Sequence, residues 1–236
     1  MNKVGITTQA STVENGMILT EVGGKTLLEH HLDHLEAAGL PVVVATSTAA
    51  PDDRVAEVAS ARGLGVHRGS ETDVLERFHD AAARFGLDVV VRVTADSPLV
   101  DGRLIATAAE QYLAAEDPWL YLSNTQIRSF PRGFDFEIFG IGALAMAHAQ
   151  ARKAPVRAMV TAYIADPENP WTHPRDVIWP EDKSGYRVAV ESADDLERVR
   201  TLIEEYDAAA LSVAQVVALL DEHPELAGAD ERPGPE

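Results

Sequence analysis

The first residue able to do chemistry is an aspartate that closes a nearly continuous apolar run. In "VVVRVTADSPLVD", Asp96 follows a segment whose valines fit a strand buried on both faces of a sheet. A carboxylate at the carboxyl end of such a strand faces the ligand crevice of an open α/β sheet. There it can meet a hard divalent cation and the phosphates that the cation bridges. The alternative role for Asp96 is to cap the turn ahead of Pro98. Glu191 follows "YRVAV" just before a helical stretch, so two strand ends could share one cation; an ordinary helix-entry acid is the other reading.

Basic residues cluster in two further segments. "HRGSETDVLERFHDAA" puts Arg68 and Gly69 at a strand end, with Asp73 and Arg77 four apart on one helical face. That spacing fits a surface ion pair, or two guanidinium groups, Arg68 and Arg77, reaching over the crevice toward a base or phosphate. "SNTQIRSFPRGFDFEIF" supplies Asn124, Arg132, Asp135 and Glu137. Arg132 beside Gly133 suits an anionic ligand, because glycine lets backbone come close. His30 and His34 lie one helical turn apart beside His31, but the carboxylates around them do not follow a zinc-site spacing. Leu27, Leu28, Leu32 and Leu35 instead make this stretch an amphipathic helix with a core-facing stripe. No Ser-His-Asp or Cys-His arrangement is legible.

The elements that must position these groups alternate along the chain. Strands are expected at Val4–Thr8, Pro41–Thr46, Gly65–Arg68, Asp88–Thr94, Trp119–Ser123, Phe134–Phe139 and Tyr186–Val190. Amphipathic helices are expected at Thr26–Ala38, Asp52–Arg62, Thr72–Phe85, Arg103–Ala115 and Ala143–Arg152, and a further one capped by Ser192. This rhythm predicts a doubly wound α/β fold with a mostly parallel sheet and a small mixed or antiparallel extension around "FPRGFDFEIF". The Pro- and Asp-rich stretch "ADPENPWTHPRDVIWPEDKSG" is expected to be a surface loop or lid. One domain over residues 1–226 and a disordered acidic tail over 227–236 complete the expected organisation.

With 46% apolar residues in 236, the chain can bury a full core. Its formal charge of −18 argues against nucleic acid or an anionic membrane as the main partner. Cysteine is absent, which removes disulfides and thiolate chemistry. No apolar run approaches the ~20 residues of a membrane span and no signal-peptide core follows Met1, so a cytoplasmic protein is expected.

Taken in order, "TLLEHHLDHLEAAGLPVVVATS", "VHRGSETDVLERFHDAA", "VVVRVTADSPLVD", "SN", "FPRGFDFEIF" and "VESADDLERVR" resemble the spore-coat-polysaccharide-type (SpsF-like) cytidylyltransferases. These are relatives of the CMP-KDO and CMP-sialic acid synthetases, and the resemblance runs from about residue 3 to about residue 226. It implies a Rossmann-like nucleotidyltransferase fold and attack of a sugar or acid hydroxyl on the α-phosphate of CTP, with Mg2+ bridging the phosphates and pyrophosphate leaving. Under it, Asp96 and Glu191 are the catalytic metal ligands. Gln9, Ala10, Lys25, Arg68, Ser70, Asp73 and Arg77 lie on the nucleotide, and Asn124, Arg132, Gly133 and Asp135 on the acceptor. A homodimer is expected by the same analogy.

The departures from the family pattern fall on polar positions. The opening loop Q-A-R-M-x-S-x-R-L-P-x-K becomes "QASTVENGM", with Val13 and Met17 where an Arg and the Lys should be. V-D-T-P-E-D becomes "VESADD", so Glu191 replaces an aspartate; R-E-H-V-T becomes "RAMVT", with Ala158 and Met159. G-D-C-P becomes "ADSP". Each lost phosphate donor costs on the order of 3 kcal/mol in the transition state. Three functions are therefore expected in turn: a divergent cytidylyltransferase; a repurposed or lapsed homologue binding a nucleotide, nucleotide-sugar or sugar acid without transfer; and a glycosyltransferase, for which the D-x-D motif is missing.

Overall fold

The computed structural model describes residues 2–12 and 15–228. Seven strands form one sheet: β1 (Val4–Gln9), β4 (Val42–Ser47), β5 (Gly65–Gly69), β6 (Val89–Thr94), β7 (Leu120–Ser123), β8 (Glu137–Gly140) and β9 (His173–Asp176). A two-stranded hairpin, β2 (Glu21–Val22) and β3 (Lys25–Thr26), turns through Gly23 and Gly24, both at positive φ. The sheet order is β5-β4-β1-β6-β8-β7-β9. All neighbours are parallel except β8, which runs antiparallel to both β6 and β7. This is the mostly parallel mixed sheet of an α/β nucleotidyltransferase fold.

Alternation within the strands divides the core. Val42 and Val44 pack with Leu28, Leu32 and Leu35 of α1 (Leu27–Glu36), Val55 and Val58 of α2 (Asp53–Ala61), and Ile105 of α4 (Gly102–Ala114). Val43, Ala45 and Val90 face Leu75 and Phe78 of α3 (Val74–Phe85) and Leu144 of α5 (Ile141–Gln150). The crossovers leave β1 in opposite senses, so the crevice opens where β1 and β6 end side by side, as it does in doubly wound sheets. A short α6 (Ala154–Arg157) follows α5. A third cluster joins Val22, Phe134, Val188 and Val190 to α7 (Ala193–Tyr206) and α8 (Val213–Glu222).

Four expectations need correction. Tyr186–Val190 makes no regular strand: it meets the sheet region through one bridge, Arg132 to Arg187, and through Val190 N donating to Asp96 O at 2.7 Å. The segment runs against two turns, so it has no ladder partner to extend along. Residues 134–136 also lie outside β8, because the buried Asn124 side chain occupies the neighbouring strand's place. Its Nδ2 donates to Phe134 O and its Oδ1 accepts from Phe136 N, both at 2.9 Å. The expected loop after residue 164 contains β9, paired with β7 despite Pro174 because β9 is the sheet's edge. Ala227, assigned to the tail, is buried and its carbonyl accepts from Arg187 N at 2.7 Å. The tail from residue 229 lies outside the described residues.

Candidate active site

Two cavities meet at the carboxyl ends of β1 and β6. The larger, about 800 Å³, is bordered by the loop after β1 (Gln9, Ser11, Asn15, Met17), by Glu71 and Thr72 ahead of α3, and by Ala158, Asp96 and Glu191. The second, about 500 Å³, is bordered by Arg92, Arg128, Arg132, Asp135, Glu137 and Thr161. Asp96 and Thr94 line both. The turn ending the middle strand and the loop following the first strand therefore share one pocket.

Asp96 is positioned from beneath. Its Oδ1 accepts from Thr94 Oγ1 at 2.6 Å and Ser97 Oγ at 3.0 Å, while Oδ2 accepts no hydrogen bond among the described residues. Behind the turn, fully buried His31 bridges β6 and β1: Nδ1 donates to Ser97 O and Nε2 accepts from Thr8 Oγ1, each at 2.8 Å. Burial lowers His31 to about 4, against a partial opposing effect of the Ser97 hydrogen bond, so the ring is neutral. His30 bonds Val22 O at 2.9 Å. The histidine cluster is thus helix packing and turn support, and no group of three or more potential metal ligands occurs among the described residues.

The loop after β1 is tied at both ends. Asp52, fully buried, accepts from Ser11 Oγ (2.8 Å), Thr12 N (2.6 Å), Thr12 Oγ1 (2.8 Å), Ser47 Oγ (2.5 Å) and Ser47 N (3.2 Å). Burial pushes this carboxyl up, but the hydrogen bonds from Ser47, Ser11 and Thr12 outweigh it and set it at about 2. At the far end Asn15 Nδ2 donates to Val190 O at 2.6 Å, next to Glu191, and Asn15 Oδ1 caps a 3-10 turn by accepting from Met17 N. Val13, one of the altered positions, lies outside the described residues; Met17 faces the larger cavity. Glu71, Asp96 and Glu191 give that cavity three carboxylates, and no Arg or Lys is among its described lining residues.

The sequence-derived nucleotide residues divide. Gln9 lines the larger cavity and accepts from Arg92 Nη2 at 3.2 Å. Ala10 is fully buried in the core. Lys25, on the hairpin, pairs with Asp33 at 2.6 Å and borders a different cavity with His30 and His34. Arg68 turns away to the carbonyls of Ser47 (2.9 Å) and Ala49 (3.0 Å) and to Asp53 (2.7 Å). Ser70, Asp73 and Arg77 build the wall loop: Ser70 Oγ accepts from Asp73 N, the Ser70 carbonyl accepts from buried Arg77, and Asp73 caps α3 and pairs with Arg157 at 2.6 Å. This loop presents Glu71 and Thr72 rather than its own conspicuous charges.

On the other side, Asp135 lines the second cavity and is bonded by Arg128 through both oxygens at 3.1 and 3.2 Å. Burial nevertheless raises its carboxyl, Arg128 opposing. Asn124 is spent on the backbone described above. Gly133 has φ +109, and a Cβ there would lie 2.8 Å from Ala189 N, so only glycine lets residues 131–133 run against 186–190. Arg132 lines the second cavity, yet its Nη2 reaches Glu191 Oε1 at 2.9 Å, and Arg187 Nη2 holds Glu191 Oε2 at 3.2 Å.

Arg92 and Glu137 form an ion pair across directly opposed residues of β6 and β8, and Tyr121 OH donates to Glu137 Oε1 at 2.5 Å. Arg92, Thr94 and Glu71 were not singled out from the sequence. The first two were findable: they are the polar residues of an apolar strand, in period-two phase with Asp96.

The chain matches the family model described as cytidylyltransferase over residues 16–166. An uncharacterized protein of Methanocaldococcus jannaschii is 28% identical over 214 residues, covering 89% of this chain and 85% of its own. The spore coat polysaccharide biosynthesis protein SpsF of Bacillus subtilis is 24% identical over 228 residues, 92% of each chain. The solved structure of a cytidylyltransferase from Leptospira borgpetersenii superposes with a TM-score of 0.92 over 99% of each chain at 26% identity.

Proposed function

The chain belongs to the cytidylyltransferase family, and on that premise we propose that it transfers a cytidylyl group from CTP to a sugar or small acid, with release of pyrophosphate. The observation that carries this reading is the position of Asp96, whose carboxylate borders both cavities. A reaction joining two ligands needs the cation that neutralises phosphate charge where the two meet, and a carboxylate there could hold it. The larger cavity, beside Gln9 and the β1 loop, takes nucleotide; the second, with Arg128, Arg132 and Asp135, takes acceptor.

The residues fit a hard cation: Asp96 offers an oxygen with no hydrogen bond among the described residues, and Glu191 lies on the same cavity. Mg2+ held there would neutralise the charge of the phosphates as pyrophosphate departs. The protein's own part is to fix the turn through His31, hold the loop through Asp52 and Asn15, and align the acceptor hydroxyl from the Arg92 side. Polysaccharide assembly is the process such a product would feed.

A second reading is favoured by one observation: the nucleotide-side lining has three carboxylates and no described Arg or Lys. A homologue that binds a nucleotide, nucleotide-sugar or sugar acid without transfer would need no triphosphate grip. Calorimetry with CTP and with CMP, each with and without Mg2+, separates the two. The first reading expects Mg2+-dependent CTP binding and, with acceptor, pyrophosphate release; the second expects binding without release. Asp96→Asn is expected to abolish Mg2+-dependent CTP binding, and unchanged affinity would place the site elsewhere.

A further inference from the structure

The ends of α3, α5 and α6 meet at the guanidinium of Arg157, the last residue of α6. Its Nε donates to Asp73 Oδ2 at 2.6 Å. Its Nη1 donates to the carbonyls of His148 at 2.9 Å and Ala151 at 3.1 Å, and its Nη2 to His148 Nδ1 at 3.2 Å. Those carbonyls lie at the end of α5, where a helix supplies no donors of its own. Asp73 is at the same time the N-cap of α3, its Oδ1 accepting from Glu76 N at 2.9 Å. The side chains of Arg157 and Asp73 are only 18% and 26% exposed, so this pair is not one of the solvated surface pairs that contribute little.

What the guanidinium joins are two stretches of cavity wall distant in sequence. Glu71 and Thr72, just before Asp73, and Val74, just after it, line the larger cavity; so does Ala158, which follows Arg157. The first stretch is also held from within, Asp73 N donating to Ser70 Oγ and Arg77 Nη1 to Ser70 O, each at 2.9 Å. The second continues as turns into the second cavity through Met159, Thr161, Ala162 and Ala165, with Val160 and Ile164 seated in the core. Arg157 itself is among the lining residues of neither cavity. We propose that Arg157 is a positioning residue: it holds loop 70–73 and segment 158–165 in one register, so that a nucleotide seated against the loop also fixes the wall of the second cavity. The inference rests on the reading of the larger cavity as the nucleotide's.

The test is calorimetric titration of the full chain with CTP and Mg2+, joined to hydrogen exchange at saturating CTP. Arg157→Met keeps the apolar stem and removes the donors; CTP is expected to bind on the order of tenfold more weakly, within the range of ordinary coupling energies. Asp73→Asn breaks the contact from its other side while keeping a good N-cap residue, and a similar loss is expected. The double variant is expected to lose no more than either single one, because both remove one interaction. Arg157→Lys keeps a charge for Asp73 without the planar fork; it is expected to recover part of the affinity, and it serves if the Met variant fails to fold. In the wild type, CTP is expected to slow exchange in both 70–73 and 158–165; in the Arg157 variants, in 70–73 alone. A lowered thermal midpoint with wild-type CTP affinity would make Arg157 merely structural and overturn the proposal. Additive losses in the double variant, or equal CTP protection of 158–165 in wild type and variants, overturn it too. A wild-type chain that binds no CTP instead overturns the nucleotide reading of the cavity, and the role of Arg157 with it.

Discussion

Asp52 shows how a site can depend on a residue that its own sequence context hides. "APDDR" reads as a helix entry, and nothing in it signals that one carboxylate gathers Ser11, Thr12 and Ser47 under the loop after β1. Its carboxyl titrates near 2 when folded and near 3.8 when not. The unfolded chain takes the proton first, so the stabilisation is complete above about pH 4 and is lost as the pH falls toward 2. The lowering corresponds to about 2 kcal/mol at neutral pH. Asp52→Ala is expected to lower unfolding stability by about 3 kcal/mol, since it strands several buried donors, and to flatten the acid slope. Denaturant unfolding at pH 7 and at pH 3 measures both; an unchanged acid slope would remove Asp52 as its source. The place of Asp96 at the rim of both cavities was legible because the apolar run before it reads as a buried strand that ends there. Arg68 misled for the opposite reason: a strand-end arginine looks the same whether it meets a phosphate or, as here, two carbonyls and Asp53.

At the scale of elements, strands and helices were legible wherever apolar periodicity was strong, as in β1, β4, β6, α1 and α3. Where side chains or turns replace a ladder, the pattern misled: "YRVAV" is apolar because it packs under Asp96 and Gly133, not because it is a strand. Helix α1 has a second use that its leucine stripe conceals, since His31 bridges it to the ends of β1 and β6. His31 takes a proton near pH 4 in the fold and near 6.5 when unfolded. Between those values the unfolded chain binds more protons, so stability falls as pH drops from about 6.5 to about 4. The loss amounts to about 3 kcal/mol. His31→Gln is expected to flatten the stability–pH curve over that interval; a slope equal to wild type would assign the effect to other groups.

Across the whole molecule, the formal charge of −18 sets a background repulsion that folding concentrates. Salt screens it over a Debye length of about 10 Å at 0.1 M. The thermal midpoint is expected to rise between about 10 mM and 150 mM NaCl as that repulsion is screened. A fall would mean that the Arg–carboxylate pairs, rather than net charge, dominate the salt response. No helix among the described residues is long and apolar enough to cross a membrane.

The reversed strand β8 carries a last consequence. Parallel β1 and β6 deliver their functional residues after the strand, whereas β8 reaches the same rim at its first residue, Glu137, opposite Arg92. Chain inserted between 124 and 136 would therefore reshape the second cavity from the rim of the sheet. The wall of that cavity can thus be lengthened at the rim of the sheet without altering the ladders that β8 makes with β6 and β7.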